Sequence, residues 1–248
     1  MLTEERHSII TETVNTRKSV TIGELCRILD VSASTVKRDL NILDEAGKIT
    51  KVRGGAIAND ESFSAVERNV EEKSAICTEE KQAIAAYAAS LVENGDFIFL
   101  DAGTTTEKMI EFLPQKDITF VTNGFIHAKK LAQRGFRVFI TGGEIKALTE
   151  AIIGAECVLT LKNYNFTKCF MGTNGISLTA GFTTPDVNEA RVKSAAMESS
   201  RRSFILADHS KFDEVSSATF AQLGKASVIT DRLSNRKYAE YTSIKEVM

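Results

Sequence analysis

The sequence is poor in cysteine and histidine and has no long apolar run, and each shortage excludes a class of protein. The four cysteines contain no CxxC pair, which argues against a zinc module or a dense disulfide framework. The three histidines are far apart and form no HExxH-type metal motif. No stretch approaches about 18 uninterrupted apolar residues, and the N-terminus lacks the apolar core of a signal peptide. We therefore expect a cytoplasmic protein with no metal, no cofactor and no membrane association.

Net charge is also close to zero, since 31 basic residues face 33 acidic ones for a formal charge of −2 over 248 residues. This balance excludes a uniformly basic nucleic-acid-binding protein, but it leaves room for a local basic surface. Residues 32–56 hold five basic side chains against three acidic ones, so basic charge is enriched there. The 43% hydrophobic and 26% charged residues are typical of a folded globular chain.

The first 58 residues predict a winged helix-turn-helix. A first helix follows Thr3, and a second follows Thr21, where Glu24 completes a capping box. Ser34 is expected to cap a third helix that ends at Ala46-Gly47. An alternating run and Gly54-Gly55 then predict a β-hairpin, which is the wing.

The third helix presents a polar outer face. Val36, Leu40 and Leu43 share one side by helical spacing, so that side is expected to face the core. Short hydroxyls, cations and an amide near a helix N-terminus suit base edges and phosphates in a DNA major groove. The candidate DNA-binding residues are Ser34, Thr35, Lys37, Arg38 and Asn41 on the helix and Lys51 and Arg53 on the wing. The alternative is an ordinary solvated helix of mixed charge.

The remainder of the chain changes character twice. Residues 59–75 are polar and charged, and predict a linker that is partly helical. Residues 76–248 alternate short apolar strands with helices, which predicts a mostly parallel α/β sheet that is buried on both faces.

Small polar residues follow several of these strands. The segment 101–106 (DAGTTT) ends a strand and begins a helix, so its backbone N–H groups and hydroxyls can bind an anion. It is not a Walker loop, which disfavours a nucleoside triphosphate. Simple N-capping by Thr104 or Thr105 is the alternative. Asn123, Gly142 and Thr173 end other strands, and such residues converge on one crevice of a parallel sheet.

Two charged segments lie further along the chain. Asp186 is expected to cap a helix on which Glu189 and Lys193 form an i, i+4 pair or contribute to a site. Asp208 and Lys211 follow a buried strand, either as solvated loop charges or as ligand contacts.

The N-terminal residues resemble the DNA-binding domain of the DeoR family of bacterial transcriptional regulators. The match consists of Arg6, Ile10, Val14, the segment 32–40 (SASTVKRDL) and the wing 52–56 (VRGGA). Lys37 stands where the family usually has Arg, and Lys cannot make the planar bidentate contact that Arg makes with guanine. Asp39 is expected to hold a neighbouring cation or a helix contact rather than to touch phosphate.

Residues 76–230 are similar to the sensor domain of the same family, with the motifs in family order. That sensor fold is similar to ribose-5-phosphate isomerase and glucosamine-phosphate deaminase. The resemblance implies that Gly103, Thr104, Thr105 and Thr106 bind a sugar phosphate group. It also implies that the pocket is lined by Asp101, Asn123, Lys193, Asp208 and Lys211.

Two functions are consistent with these residues. The first is a repressor of a sugar-utilisation operon, a homodimer or homotetramer that a phosphorylated sugar releases from double-stranded operator DNA. The second is a phosphosugar isomerase or deaminase with an accessory DNA-binding module. The helix-turn-helix favours the first, a regulator that is not an enzyme. Hexose and ketose 1- or 6-phosphates are all consistent with the sequence, with fructose 1-phosphate the first choice by resemblance to fructose-operon repressors.

Overall fold

The computed structural model describes residues 2–17, 19–46, 48–58, 62–63, 67–115, 117–233 and 235–248. The chain divides into two compact units, Met1–Ser62 and Phe63–Met248. We call these the N-terminal and C-terminal units and describe each by itself. The division falls within the predicted 59–75 linker, and residues 59–61 and 64–66 of that linker lie outside the described residues.

The N-terminal unit is a winged helix-turn-helix. Its elements are α1 (Thr3–Arg17), β1 (Ser19–Thr21), α2 (Ile22–Leu29), α3 (Ala33–Glu45), β2 (Thr50–Val52) and β3 (Gly55–Ile57). The strands form an antiparallel sheet in the order β1-β3-β2. Ile10 and Val14 from α1, Leu25 from α2, and Val36 and Leu40 from α3 are fully buried in one core. The apolar positions of the three helices therefore face one another as their spacing predicts.

The helix caps confirm one prediction and correct another. Thr21 and Glu24 form the predicted capping box at the start of α2. The prediction that Ser34 caps α3 is wrong, because the helix begins at Ala33 and Ser32 is its N-cap. The Ser32 hydroxyl accepts from the Thr35 N–H at 3.3 Å, the usual N-cap geometry. Gly47, part of the predicted helix end, lies outside the described residues.

The three-residue strand β1 was not predicted from the sequence. It precedes α2 and pairs with β3, so the wing hairpin gains a third strand. Gly55 permits this pairing, because a Cβ atom at that position would lie 2.2 Å from the Val20 carbonyl oxygen. One residue earlier, Gly54 has a φ of +96°, which L side chains rarely adopt. Glycine is therefore needed at position 55 for the close approach of β1 and at position 54 for the backbone conformation.

The C-terminal unit alternates strands and helices in an α/β fold, as the sequence predicts. Its helices are α4 (Val70–Ala75), α5 (Thr78–Ser90), α6 (Thr104–Phe112), α7 (Phe125–Gln133), α8 (Ala155–Lys162) and α9 (Val187–Glu198), with short 3-10 helices at His209–Lys211, Leu223–Lys225 and Arg236–Glu240. Its strands, with β4 at the division between the units, are β4 (Ser62–Phe63), β5 (Phe97–Leu100), β6 (Thr119–Thr122), β7 (Arg137–Ile140), β8 (Glu144–Lys146), β9 (Ala151–Ile153), β10 (Phe166–Gly172), β11 (Gly175–Ser177), β12 (Gly181–Thr184), β13 (Ser200–Leu206), β14 (Glu214–Val215), β15 (Ala218–Ala221), β16 (Ser227–Thr230) and β17 (Ile244–Glu246).

A parallel sheet organises this unit. Among the described residues, seven strands pair in the order β17-β16-β13-β10-β5-β6-β7, and every pair is parallel. One face packs Phe99, Met171 and Ile205 against α8 and α9, and the other packs Leu100 and Phe120 against α5 and α6. The predicted fold class, a winged helix-turn-helix followed by a mostly parallel α/β domain, is confirmed. An antiparallel sheet of β11, β12 and β15 and a β8–β9 hairpin are additions to the prediction.

The order of the strands fixes where a ligand site is expected. Successive connections run from β5 to β6 and β7 on one side, and from β10 to β13, β16 and β17 on the other. The chain reverses direction across the sheet between β5 and β10, and ligands of open α/β sheets bind beyond the carboxyl ends of such strands. None of the described helices is both long enough and apolar enough to span a membrane.

Candidate functional site

A buried ion pair lies where β5 and β10 end. Asp101 follows β5 directly, and Lys193 reaches it from α9 with its Nζ 2.5 Å from Asp101 Oδ2. The same ammonium donates to the Gly172 carbonyl oxygen at 3.0 Å, and the Gly172 N–H donates to Asp101 Oδ2 at 3.1 Å. Both side chains are more than nine-tenths buried, with 3% and 7% exposed. The Asp101 carboxylate therefore joins both central strands to α9.

The 101–106 loop leads from this ion pair into α6. Gly103 is the N-cap and contributes no side-chain hydrogen bond, so the alternative of capping by Thr104 or Thr105 is not realised. Thr104 is half-buried and Thr105 is buried in the first turn of α6. Thr106 is fully buried, with its Oγ1 2.6 Å from the Asp101 carbonyl oxygen and 2.8 Å from that of Gly103. The Thr106 hydroxyl therefore donates to carbonyl oxygens of the loop itself and stabilises the loop conformation.

His127 contacts the 101–106 loop, and its role there was not predicted from the sequence. Its Nε2 lies 3.1 Å from the Gly103 carbonyl oxygen and 3.2 Å from Thr106 Oγ1. Burial lowers the pKa of this imidazole, while Glu107 and the Gly103 contact oppose the shift. Gly124 leaves space for the ring, because a Cβ there would lie 2.5 Å from His127 Nδ1. No motif marks a lone histidine of this kind, since its partners are more than 20 residues away.

The other predicted strand-end residues serve mainly the backbone. Asn123 Oδ1 accepts from the Ala102 N–H at 3.0 Å, and its Nδ2 donates to the Ile152 carbonyl oxygen at 3.2 Å. Thr173 Oγ1 lies 2.9 Å from the Gly175 carbonyl oxygen and 3.0 Å from that of Thr183. Gly142 follows β7, two strands away from β5 in the sheet. Asn123 positions the start of the 101–106 loop, and Thr173 shapes the turn after β10.

Asp208 is a buried carboxylate at the end of β13, the strand next to β10. Only 1% of the residue is exposed, so the alternative of a solvated loop charge is wrong for Asp208. It accepts from the Ser210 N–H at 3.0 Å and the Ser210 hydroxyl at 2.5 Å. Burial raises the pKa of Asp208, but Lys211 and the Ser210 bonds outweigh it and the net pKa is lowered. Lys81 is a further nearby cation, and burial lowers its pKa.

A second ion cluster surrounds Lys146. Its Nζ lies 2.5 Å from Glu67 Oε2, 3.1 Å from Asp186 Oδ2 and 3.2 Å from Glu189 Oε1. Glu189 also accepts from the Thr149 hydroxyl at 2.6 Å. Burial raises the pKa of Glu189, yet Lys193, Thr149 and Lys146 together bring it below its usual value.

This cluster corrects the expected i, i+4 pair on α9. Lys193 bonds Asp101, whereas Glu189 bonds Thr149 and Lys146, so each side chain has hydrogen-bond partners far away in the sequence. The prediction that Asp186 caps α9 is confirmed, because its Oδ1 accepts from the N–H groups of Asn188 and Glu189.

The outer face of α3 is polar and accessible in the N-terminal unit. Ser34, Lys37, Arg38 and Asn41 are exposed, as are Lys51 and Arg53 of the wing, while Thr35 is half-buried. Lys51 Nζ donates to Asn41 Oδ1 at 2.5 Å, which joins the wing to the helix. The Ser34 and Thr35 hydroxyls lie 2.8 and 2.9 Å from Ser32 Oγ.

Asp39 points the other way, into the N-terminal unit. Arg6 donates to it through Nε at 2.5 Å and Nη2 at 2.9 Å, and His7 Nε2 lies 3.0 Å away. The Arg6 hydrogen bonds hold the pKa of Asp39 below its usual value, with burial opposing and His7 assisting. Asp39 therefore anchors α3 to α1, which confirms the prediction that it holds a cation.

One group among the described residues has the spacing of a metal site. Glu80, His209 and Asp231 each offer a ligand atom, and these atoms lie within 4.8 Å of one another. Asp231, however, already accepts from the His209 N–H and lies 2.7 Å from its Nδ1. These contacts hold the start of the His209–Lys211 3-10 helix, so the carboxylate has a structural role.

Comparison with known families matches both units. Residues 6–62 match the family described as a DeoR-like helix-turn-helix domain, and residues 76–232 match the DeoR C terminal sensor domain. A helix-turn-helix joined to a sensor domain defines a DNA-binding transcriptional regulator. The chain belongs to the DeoR family.

Three relatives are similar over most of their length. FruR of Bacillus subtilis (strain 168), named as an uncharacterized HTH-type transcriptional regulator, is 42% identical, covering 100% of this chain and 99% of that protein. IolR of the same organism, an HTH-type transcriptional regulator, is 33% identical, covering 90% and 89%. The lactose phosphotransferase system repressor of Staphylococcus epidermidis (strain ATCC 12228 / FDA PCI 1200) is 36% identical, covering 98% of each. These names are those of transcriptional regulators, in agreement with the class that the two family matches define.

Solved structures are similar over about half of the chain. Ribose 5-phosphate isomerase A from Methanocaldococcus jannaschii gives a TM-score of 0.40 at 16% identity, covering 54% of each chain. The translation initiation factor eIF-2B of Pyrococcus horikoshii OT3 gives 0.43 at 16% identity, covering 59% of this chain and 52% of that one.

Proposed function

We propose that this regulator represses a sugar-utilisation operon and leaves its operator when a phosphorylated sugar binds the C-terminal unit. The observation that carries the proposal is the 101–106 loop, which begins a helix beside the buried Asp101–Lys193 pair. Relatives named as lactose phosphotransferase system repressors support the link to sugar uptake.

The loop is suited to the phosphate group. The first-turn N–H groups of α6 point toward its N-terminus, and Gly103 at the N-cap places no side chain over them. The helix dipole adds roughly 0.3–1 kcal/mol in favour of an anion at this end. The Thr104 and Thr105 hydroxyls lie in the same turn as further donors.

The neighbouring charges are suited to a sugar. Carboxylates accept hydrogen bonds from hydroxyl groups, and Lys donates to hydroxyl oxygens. Asp101 follows β5 and is bonded by Lys193 from α9, while Asp208 and Lys211 follow β13 at the same edge of the sheet. A ligand with a phosphate at one end and several hydroxyls at the other would use both sets of groups.

On DNA, the exposed residues of α3 would enter the major groove and the wing would contact the adjacent backbone or minor groove. Ser34, Thr35, Lys37, Arg38 and Asn41 form the first set, and Lys51 and Arg53 the second. Two N-terminal units in a homodimer or homotetramer would read paired half-sites. Release requires that the sugar phosphate bind the DNA-competent and DNA-incompetent arrangements with different affinity.

Gel-shift titration on the chain's own promoter tests this function. Fructose 1-phosphate is the first ligand to try, with hexose and ketose 1- and 6-phosphates and the unphosphorylated sugars as the panel. We expect one phosphorylated sugar to release the chain from DNA and its unphosphorylated form to have no effect. Turnover of a phosphosugar by a chain that binds no DNA would contradict the proposal.

A further inference from the structure

Glu67 has an unusual environment for a residue of a linker. It precedes α4 on the segment 67–75, the part of the predicted linker that lies at the start of the C-terminal unit, yet only 9% of its side chain is exposed. Its Oε2 accepts from Lys146 at 2.5 Å. Its Oε1 is buried, and the Lys73 ammonium pairs with it only at 3.5 Å, too long for a well-formed hydrogen bond.

The surroundings of Glu67 connect it to the candidate sugar site. Lys146 also binds Glu189, and Glu189 feels the charge of Lys193, the partner of Asp101. Lys73 lies within the electrostatic reach of Glu67, Glu189 and Lys193, and burial lowers its pKa. Contacts between α4 and α6 bring the same segment to the helix that begins in the 101–106 loop.

A buried carboxylate oxygen that is held only by a long ion pair is incompletely satisfied, which is costly in a folded protein. Lys73 and Lys146 balance the negative charge of Glu67, but Oε1 can still accept a further hydrogen bond. A hydroxyl group of a ligand would fill that position with a charge-assisted hydrogen bond. A sugar has such hydroxyls, whereas inorganic phosphate alone would be held at the 101–106 loop.

We propose that Glu67 is an effector-binding residue supplied by the linker, and that its Oε1 accepts a hydroxyl of the bound sugar phosphate. This inference rests on the proposed function and adds a residue that contacts the sugar in the same site. A sugar phosphate held at both α6 and Glu67 holds the segment 67–75 against α6 and the rest of the C-terminal unit. Because this segment is covalently continuous with the DNA-binding unit, ligand occupancy changes the constraint on that unit.

Calorimetric titration of the full chain tests the proposal, with fructose 1-phosphate or the panel member that releases the wild-type chain from DNA. Inorganic phosphate is the second titrant. Glu67→Gln and Glu67→Ala are compared with Glu71→Gln and Glu71→Ala, which make the same changes at an exposed position of α4. We expect both Glu67 variants to weaken sugar-phosphate binding roughly tenfold or more, as for a lost bond to a charged group. Affinity for inorganic phosphate, and both affinities of the Glu71 variants, should stay within about twofold.

Hydrogen exchange supplies the second readout. Binding of the sugar phosphate should slow exchange of the amides of residues 67–75 in the wild-type chain and not in Glu67→Ala. Equal sugar-phosphate affinity of the Glu67→Gln and wild-type chains would overturn the assignment of Glu67 alone, as would tighter binding, which would make Glu67 a competitor of the ligand. Equal losses for inorganic phosphate and sugar phosphate would indicate only structural damage and also overturn it. A wild-type chain that binds no member of the panel would instead contradict the proposed function.

Discussion

Asp39 and Asp101 are both buried carboxylates, and each is paired with a cation from a distant helix of the same unit. Arg6 holds Asp39 through two nitrogens, which fixes α1 against α3. Lys193 holds Asp101 and the end of β10. The cations next to Asp39 in sequence, Lys37 and Arg38, remain exposed. A single helix thus buries a structural acid on one face and exposes two cations on the other.

Arg38→Ala tests the outer face of α3. Loss of an exposed cation that contacts a base or phosphate should weaken operator binding at least tenfold, because such contacts contribute about 1–3 kcal/mol. Sugar-phosphate affinity should not change, since Arg38 belongs to the other unit. Fluorescence anisotropy with labelled operator measures the effect, and Arg17→Ala, an exposed arginine at the end of α1, is the control. Operator affinity that survives the change would refute the assignment of α3 as the recognition helix.

Asp39→Asn tests the inner face. The pKa of Asp39 is lowered in the folded chain, so the stabilisation from its ionised form is complete above the usual carboxyl range and is lost as pH falls through the lowered pKa. The variant should be less stable than wild type at pH 7 and should lose less stability on acidification. Hydrogen exchange of α1 and α3 amides between pH 7 and pH 4 reports this. Glu45→Gln, which removes the same charge from the exposed end of α3, should behave like wild type.

The elements of the C-terminal unit could be predicted from the sequence more completely than their contacts. The strands that contain Phe99, Phe120 and Phe170 are short apolar runs buried on both faces of the sheet, so local composition predicts them. In the N-terminal unit, by contrast, β1 has only three residues, and it is a strand because it pairs with β3. His127 and Glu67 could not be predicted as site residues because their partners are distant in the sequence. The Glu67–Lys146 bond, for example, joins residues 79 positions apart.

The 101–106 loop can be tested by placing a negative charge in it. Thr105→Asp should repel a phosphate group at the start of α6 and reduce sugar-phosphate affinity tenfold or more, because like charges in a partly buried site repel strongly. The variant should still bind operator and should no longer be released by the sugar phosphate. Thr105→Ser, which keeps the hydroxyl, is the matched control, and thermal unfolding checks that both variants fold. Normal release of Thr105→Asp would place the phosphate elsewhere.

The buried His127 gives the same loop a pH dependence. Its pKa is lowered in the folded chain, so below about pH 6.5 the unfolded chain binds more protons than the folded chain does. The C-terminal unit should therefore lose stability as pH falls from 7 to 5. His127→Gln should remove part of this dependence, as measured by thermal unfolding across that range. An identical pH slope for the two chains would show that the imidazole is not the group responsible.

At the scale of the whole molecule, the net charge of −2 is an average over two units with different proposed roles. The residues that would contact DNA lie in the N-terminal unit, and those that would bind the sugar phosphate lie in the C-terminal unit. The segment 67–75 lies at the start of the C-terminal unit, where Glu67 pairs with Lys73 and Lys146.

The coupling itself is the central claim, and operator affinity of the full chain with and without saturating sugar phosphate measures it most directly. Linkage requires that the two ligands weaken each other by the same factor. We predict at least tenfold weaker operator binding in the presence of the sugar phosphate that the gel-shift panel identifies, and an equal loss of sugar-phosphate affinity when operator is bound. Identical operator affinity under both conditions, with the sugar phosphate shown to be bound, would contradict the account.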